Sequence, residues 1–435
     1  MYRTEAPGGF QLNRIEMINH MMFALSVLIT GAVAGAFVWL LLFAMNLGIT
    51  ALWDRVPEYL GRFYPLVVCI VGGLVIGLFA KRFGPYPEDL PTVMSAVKRD
   101  GRYEYDKIGR MSVGALLPMV FGGSVGPEAG LTGVIAATCT WVSDRMRSFG
   151  NDFRELSRIG TYAALSAIFT APLYGFAGAV GGGRGSADGD GPRITRAMRI
   201  ASSILAIAGA FLMFMFLSDR FGGGLSLPRY TDISYGLNEF VWLVPMAAVG
   251  GLAGWLFCVL DSSFERLSAM MPDRPVSKAV LGGIVLGAFG MILPFTMFAG
   301  EVQAEELNGI WFTMTSAVLI STGLAKIAVT ALCVNMGWRG GHFFPIIFSG
   351  ISMGYGLSML FGVDPVFGVC ATTAAVLGGA MRKPVMTVLL LFLCFPFHSV
   401  IVLAAAAFIG SLIPLPKGMG PDDDSKRSDV KDYQC

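Results

Sequence analysis

Two long stretches without Asp, Glu, Lys or Arg constrain the fold of this chain more than any other feature. They run from Met21 to Trp53 and from Pro384 to Pro416. Each exceeds the roughly 20 residues that an α-helix needs to cross a bilayer. We therefore predict membrane helices in both, and in the charge-free runs Phe63–Ala80, Gly160–Gly183, Ile200–Ser218, Phe240–Leu260, Ala279–Gly300, Asn308–Ala325, Gly340–Val363 and Pro365–Met381.

The composition agrees with this prediction. Of the 435 residues, 54% are hydrophobic and only 14% are charged, whereas a soluble domain has about 25% charged residues. This excludes a soluble enzyme, a secreted disulfide scaffold and a disordered protein. The net charge of +2 gives no reason to expect a nucleic-acid partner. We predict an all-α integral membrane protein that crosses the lipid bilayer several times.

Two glycine-rich breaks interrupt apolar sequence. The first is Phe121–Pro127 and the second is Arg339–Pro345. Irregular backbone at membrane depth is tolerated where protein buries it or where it lines a wet cavity. A simple loop at the membrane surface is the alternative. The similar composition and the comparable placement of both breaks favour broken helices.

The breaks belong to a weak internal repeat. Pro127 and Pro345 lie 218 residues apart, and Pro172 and Pro384 form a second pair at a similar spacing. Weak similarity between halves with matched breaks is typical of inverted-repeat transporters and channels. We predict four segments: an N-terminal segment, two membrane half-repeats and a disordered tail, at residues 1–20, 21–199, 200–416 and 417–435.

The first break has the chemistry of an anion site. Pro127 suits the first position of a helix, and Glu128 then lies in the first turn, where a carboxylate complements the helix dipole. The preceding glycines leave backbone N–H groups uncovered, so the helix start can bind an anion. Gly340–Pro345 repeats this arrangement, and Phe83–Glu88 is a third candidate. Such amides can hold a small anion weakly enough for it to leave again.

These residues resemble motifs of the CLC chloride channels and proton-coupled anion exchangers. Residues 123–127 are similar to the family's Gly-Lys/Arg-Glu-Gly-Pro motif, and Gly340–Pro345 is similar to Gly-x-Phe-x-Pro. Thr170–Gly175 resembles Asn-Ala-Pro-Leu-Ala-Gly, and Arg382–Thr387 resembles Arg-Ala-Pro-Leu-Thr-Gly. The resemblance implies an inverted-repeat bundle of roughly 16–18 tilted and broken helices. It also implies a homodimer with one pore per subunit in the inner (plasma) membrane, with a cytoplasmic N-terminal segment and a cytoplasmic tail.

The resemblance further implies which residues bind the anion. Helix starts contribute the site, and a pore tyrosine of the family corresponds to a position near Phe397 or His398. For His342 a packing or capping role is the alternative. The implied anion-binding residues are Gly84, Pro85, Ser124, Val125, Gly126, His342, Phe343, Phe397 and His398.

The chain departs from the family where proton coupling is expected. The family's gating glutamate corresponds to Val125, which cannot bind a proton or compete with an anion. No carboxylate lies near Gly181 and Gly182, where exchangers have a second glutamate, and Phe83–Pro87 lacks the family's serine. The resemblance to a divergent bacterial branch therefore implies passive conduction of a small inorganic anion, with chloride favoured, as in voltage-gated chloride channels.

Several alternatives remain open at the level of the sequence. Glu128 is a second gate candidate beside Val125 and would make the protein a proton-coupled antiporter, unless it only caps its helix. A fluoride or bicarbonate transporter is a further alternative. Lys326 could raise the local anion concentration, or it could extend to the interface or pair with a carboxylate. An enzyme is not expected, nor a cofactor or metal, because the three histidines are scattered.

Overall fold

The computed structural model describes residues 14–54, 61–88, 90–145, 153–169, 171–181, 196–224 and 228–416. These residues contain sixteen α-helices and no β-strand. The helices are α1 (Arg14–Trp53), α2 (Tyr64–Phe83), α3 (Leu90–Asp100), α4 (Ile108–Val120), α5 (Pro127–Arg145), α6 (Phe153–Ile168), α7 (Pro172–Gly181), α8 (Arg196–Phe221), α9 (Leu237–Ala269), α10 (Pro275–Ile292), α11 (Glu301–Ile310), α12 (Ser316–Asn335), α13 (Phe343–Phe361), α14 (Pro365–Met381), α15 (Pro384–Leu391) and α16 (Val400–Leu412).

Seven helical segments of the described chain are long and apolar enough to cross a membrane. They belong to α1, α2, α8, α9, α10, α12 and α13. The part of α13 with the highest hydropathy is 89% buried within the protein, which makes it a central element rather than a lipid-facing one. The prediction of an all-α membrane protein with many helices is confirmed.

The internal repeat is visible in the helix packing. In the first half α1 packs against α8 and α6, and α6 packs against α5, α7 and α8. In the second half α9 packs against α16 and α14, and α14 packs against α13, α15 and α16. Each of these first-half contacts has a counterpart in the second half, between the two helices whose numbers are higher by eight. Two further contacts, between α2 and α10 and between α7 and α15, join a helix to its own counterpart.

This packing bears on the predicted division after residue 199. That position lies inside α8, and α8 packs against α1, α6 and α7 of the first half. We therefore propose that the halves divide between α8 and α9, at 222–236. Residues 1–13 of the predicted cytoplasmic segment and the predicted tail at 417–435 lie outside the described residues.

Both predicted helix breaks are present. Helix α4 ends at Val120 and α5 begins at Pro127, so Pro127 occupies the predicted first helical position. Helix α12 ends at Asn335 and α13 begins at Phe343. The second break differs from the prediction in one detail, because α13 begins two residues before Pro345. A tandem of phenylalanines, not the proline, therefore supplies the first amides of α13.

Close helix packing explains part of the high glycine content. Gly73 of α2 faces the backbone of Ala279 in α10, and Gly283 of α10 faces the backbone carbonyl of Cys69 in α2. A Cβ added at either glycine would lie less than 3.0 Å from these backbone atoms. Small residues at such interfaces let two helix backbones approach closely. The contact between α2 and α10 therefore depends on the absence of side chains at these two positions.

We expect Gly283→Ala to destabilise the protein by about 1–3 kcal/mol, the usual effect of overpacking. The added methyl group would meet backbone that cannot rotate away. The midpoint of thermal unfolding in detergent measures the effect. Gly109→Ala is the control, since a Cβ at Gly109 of α4 would have open space around it. Equal melting temperatures for the two variants would contradict this account of the interface.

Candidate anion site

The two helix breaks meet each other in the interior. The Gly126 N–H donates a hydrogen bond to the Gly341 carbonyl at 2.7 Å, and the Gly341 N–H donates to the Gly126 carbonyl at 2.7 Å. This reciprocal pair is an isolated antiparallel bridge between the residues before α5 and before α13. The starts of these two helices are thus joined through their backbones, as the prediction of a shared site requires.

The carboxylate of Glu128 occupies the start of α13. Glu128 lies in the first turn of α5 and is fully buried. Its Oε1 accepts a hydrogen bond from the Phe343 backbone N–H at 2.7 Å, and the Phe344 N–H also points to the carboxylate. Its Oε2 has no hydrogen-bond partner among the described residues. Glu128 thus takes the amides that an anion at this helix start would use.

Two glycines leave the space for this carboxylate. A Cβ added at Gly341 or at Gly126 would lie less than 3.0 Å from the Glu128 carboxylate atoms. The backbone therefore approaches the carboxylate more closely than any residue with a side chain would allow. The same two glycines form the reciprocal bridge, so they shape the site as well as joining its two sides.

Ser124 and Val125 are completely buried in the first break. The Ser124 hydroxyl is 2.9 Å from the Thr330 hydroxyl of α12, and a hydrogen bond joins them. Val125 packs against Gly340, where an added Cβ would lie 2.7 Å from the valine Cβ. Val125 therefore fills the contact between the two breaks with an apolar group and offers no titratable atom there.

Aromatic rings surround the start of α13. The rings of Phe343 and His342 lie 4.7 Å apart, and His342 also faces Phe257 at 5.2 Å. Phe169 lies 5.8 Å from Phe343 and 5.2 Å from Tyr174. These contacts give His342 a packing role beside the site, as the alternative interpretation of the sequence expected.

Tyr174 was not predicted as a site residue. It lies in α7, and its phenol is close enough to Glu128 for the two groups to interact electrostatically. A signal for it exists in the sequence, because Tyr174 stands where the Asn-Ala-Pro-Leu-Ala-Gly motif has its second alanine. A phenol can donate or accept a hydrogen bond, and Tyr174 is thus a polar group beside the carboxylate.

Pro85 lines a cavity of about 200 Å³, and Gly84 directly precedes it in the turn after α2. Lys278 and Arg339 also line this cavity, and Arg339 donates a hydrogen bond to the Pro87 carbonyl at 3.3 Å. The described part of α3 begins at Leu90, so the turn is not a helix start of the kind predicted. Arg339 thus joins this turn to the second break.

Phe397 and His398 have ring contacts with Phe392 and Tyr235. Phe397 is 80% exposed and its ring lies 6.0 Å from Phe392. His398 lies 5.4 Å from Tyr235. Both residues lie in a short 3₁₀ turn that leads into α16. The pore role that the resemblance implies for Phe397 or His398 stays a prediction.

The sequence profile of the family described as "Voltage gated chloride channel" matches residues 72–414. The chain belongs to the CLC family. The match covers both helix breaks and the motifs of both halves. Members of this family are channels or transporters, and this CLC protein is an ion-transport protein of the membrane.

Curated relatives agree with the assignment. This CLC protein is 27% identical over 321 residues to the "Putative ion-transport protein YfeO" of Escherichia fergusonii, covering 70% of this chain and 71% of the relative. It is 26% identical over 320 residues to the protein of the same name from Salmonella typhimurium, covering 70% and 72%.

Solved CLC structures share the fold. One is titled a CLC-type fluoride/proton antiporter, with a TM-score of 0.69, 18% identity, and coverage of 93% of this chain and 97% of that one. Another is titled a slow cyanobacterial Cl⁻/H⁺ antiporter, with a TM-score of 0.74, 16% identity, and coverage of 94% and 99%. The predicted inverted-repeat CLC fold is confirmed by these similarities.

Proposed function

We propose that the protein carries a small inorganic anion across the membrane in exchange for protons, and that Glu128 is the gate. The observation that carries this proposal is the hydrogen bond of 2.7 Å from the Phe343 amide to Glu128 Oε1. Sequence reasoning favoured passive conduction because Val125 replaces the family's glutamate. The geometry favours proton-coupled exchange, because the carboxylate of Glu128, three positions after Val125, reaches the backbone amides of α13.

The chemistry of a carboxylate links proton and anion at this site. An ionised Glu128 accepts the Phe343 and Phe344 amides and excludes an anion from them by repulsion. Protonation removes the charge and makes the group a weaker acceptor. An anion can then take the amides, and release of the anion lets the ionised carboxylate return. Proton and anion thus alternate at one position.

The comparisons support this proposal indirectly. The two structures with the same fold are titled a fluoride/proton antiporter and a Cl⁻/H⁺ antiporter. Both titles describe proton-coupled anion transport in those proteins, and they name different anions. We therefore propose a small inorganic anion as the substrate class, with chloride and fluoride as the two probes to compare, in a homodimeric protein of the bacterial inner membrane.

Passive conduction is the second candidate. The observation that favours it is Val125, a buried apolar residue where exchangers of the family have a titratable one. Under this alternative Glu128 would be a fixed ligand of the α13 amides, and the anion would pass without displacing it. The two candidates differ in whether protons move.

Reconstituted vesicles distinguish the candidates by the direction of proton movement. Vesicles are loaded with high chloride, diluted into low chloride at equal pH, and held at zero potential with potassium and valinomycin. We expect chloride efflux to drive protons inward and to make the external solution alkaline. A pH electrode and a chloride electrode measure both fluxes, and protein-free vesicles are the control.

The same experiment with fluoride compares the two anions. Chloride efflux with no inward proton movement would contradict the exchange proposal and favour passive conduction. Absence of efflux for both anions would contradict the proposed substrate class as a whole.

A further inference from the structure

Lys326 is a buried lysine near the site, and the proposed exchange cycle gives it no role. It lies in α12 with no exposed surface, and its Nζ donates to the carbonyls of Phe295, Met297 and Phe298 at 3.2, 2.6 and 2.8 Å. A buried charge is costly unless it is paired as well as hydrogen-bonded. Three neutral carbonyls accept its protons, and the described ion pairs give it no carboxylate in direct contact.

Lys326 is connected to the first break by two routes. The Phe298 N–H donates to the Gly122 carbonyl at 3.0 Å, so the segment that holds the ammonium also holds the backbone before Ser124. One helical turn after Lys326, Thr330 bonds the Ser124 hydroxyl at 2.9 Å. The charge therefore lies beside the same turn that leads into α5.

Glu301 is the second buried carboxylate of this region. It begins α11, is 8% exposed, and its Oε2 has no hydrogen-bond partner among the described residues. The preceding Gly300 lies against the Lys326 side chain, since a Cβ at Gly300 would be 3.6 Å from Lys326 Cε. The charge of Glu301 acts on Lys326 and on Glu128, although the described ion pairs do not include a direct Glu301–Lys326 contact.

The surroundings contain few other ionisable groups. On α11 itself Glu305 and Glu306 are exposed. The elements packed around α11 contribute the ionisable groups that follow. These facing groups are Lys326 and Cys333 of α12, Glu128 of α5, and Tyr355 of α13, whose hydroxyl donates to Asn308 of α11 at 2.6 Å.

We propose that Glu301 is a second proton-binding residue and that Lys326 makes anion binding depend on its protonation. This inference rests on the proposed anion site but not on the movement of Glu128. A protonated Lys326 carries one positive charge, which either an ionised carboxylate or a bound anion can balance. In a low-dielectric interior a net charge is strongly disfavoured. An anion that binds therefore requires one carboxylate to take up a proton, and with Glu128 neutral that carboxylate is Glu301.

Anion binding in a Glu128→Gln background tests the proposal. In this variant we expect the chloride dissociation constant to rise by up to tenfold per pH unit as the pH increases, because deprotonated Glu301 then competes with the anion for the charge of Lys326. Chloride binding should also take up close to one proton, measured with an indicator dye in weak buffer. In E128Q/E301Q both effects should disappear and chloride should bind more tightly. E128Q/E305Q is the matched control and should behave like E128Q.

Each outcome has a separate meaning. A pH-independent dissociation constant in E128Q, or proton uptake near zero, would overturn the role of Glu301 and leave the Glu128 gate intact. Persistence of the pH dependence in E128Q/E301Q would overturn it as well. The measurement of proton uptake needs only the E128Q protein, so it tests the proposal even where E301Q does not fold. Chloride that fails to bind at all would overturn the anion site and this inference with it.

Discussion

Replacing Glu128 by glutamine is expected to abolish proton movement while anion flux survives. Glutamine keeps the size of the side chain, so it can still reach the Phe343 amide, but it cannot exchange a proton. A neutral amide also competes more weakly than a carboxylate for these donors, so an anion should displace it easily. In the vesicle assay the proton flux should fall at least tenfold relative to the chloride flux.

The control for this experiment is Glu305→Gln, which removes an exposed carboxylate from α11 and should leave the ratio of proton to chloride flux unchanged. Proton flux that persists in the Glu128→Gln protein would show that another residue carries the proton. Loss of both fluxes would instead assign Glu128 a structural role.

Gly341→Ala should produce nearly the same loss of coupling while Glu128 is still present. A Cβ at this position would lie less than 3.0 Å from the Glu128 carboxylate, so the carboxylate must leave the start of α13. We expect the ratio of proton to chloride flux to fall by roughly tenfold, about 1.4 kcal/mol in the competition between carboxylate and anion.

A double variant identifies the cause of that loss. In a Glu128→Ala background the alanine at 341 should change neither flux further, because residues that act through one contact are not additive. Gly309→Ala is the control for an added methyl group, since a Cβ there would meet nothing within 4 Å. An equal effect of Gly341→Ala with and without Glu128 would mean that the methyl group obstructs the pathway directly.

Much of the fold could be predicted from local sequence. Charge-free runs predict membrane helices because a charged group is costly in lipid. The glycine-rich segments at 121–127 and 339–345 fix the breaks, since this backbone cannot continue a helix without losing stability. The exact half-repeat boundary could not be found this way. Residue 199 lies in a continuous helix whose assignment to the first half depends on its packing against α1.

The site was harder to predict because its essential contact joins residues far apart in the chain. Glu128 and Phe343 are separated by 215 positions, and no local pattern shows that a side chain of α5 reaches the amide of α13. Sequence comparison with the family's motif drew attention to Val125 instead. The motif comparison also did not predict Tyr174, whose phenol interacts electrostatically with the Glu128 carboxylate.

The reciprocal Gly126–Gly341 bridge limits how the protein can move during transport. If one half rotated against the other at this point, both 2.7 Å hydrogen bonds would break in a place that water reaches poorly. Many transporters with repeated halves work by such rocking motions. For the proposed exchange cycle we therefore expect access to alternate through movement of individual side chains, while the contact between Gly126 and Gly341 stays in place.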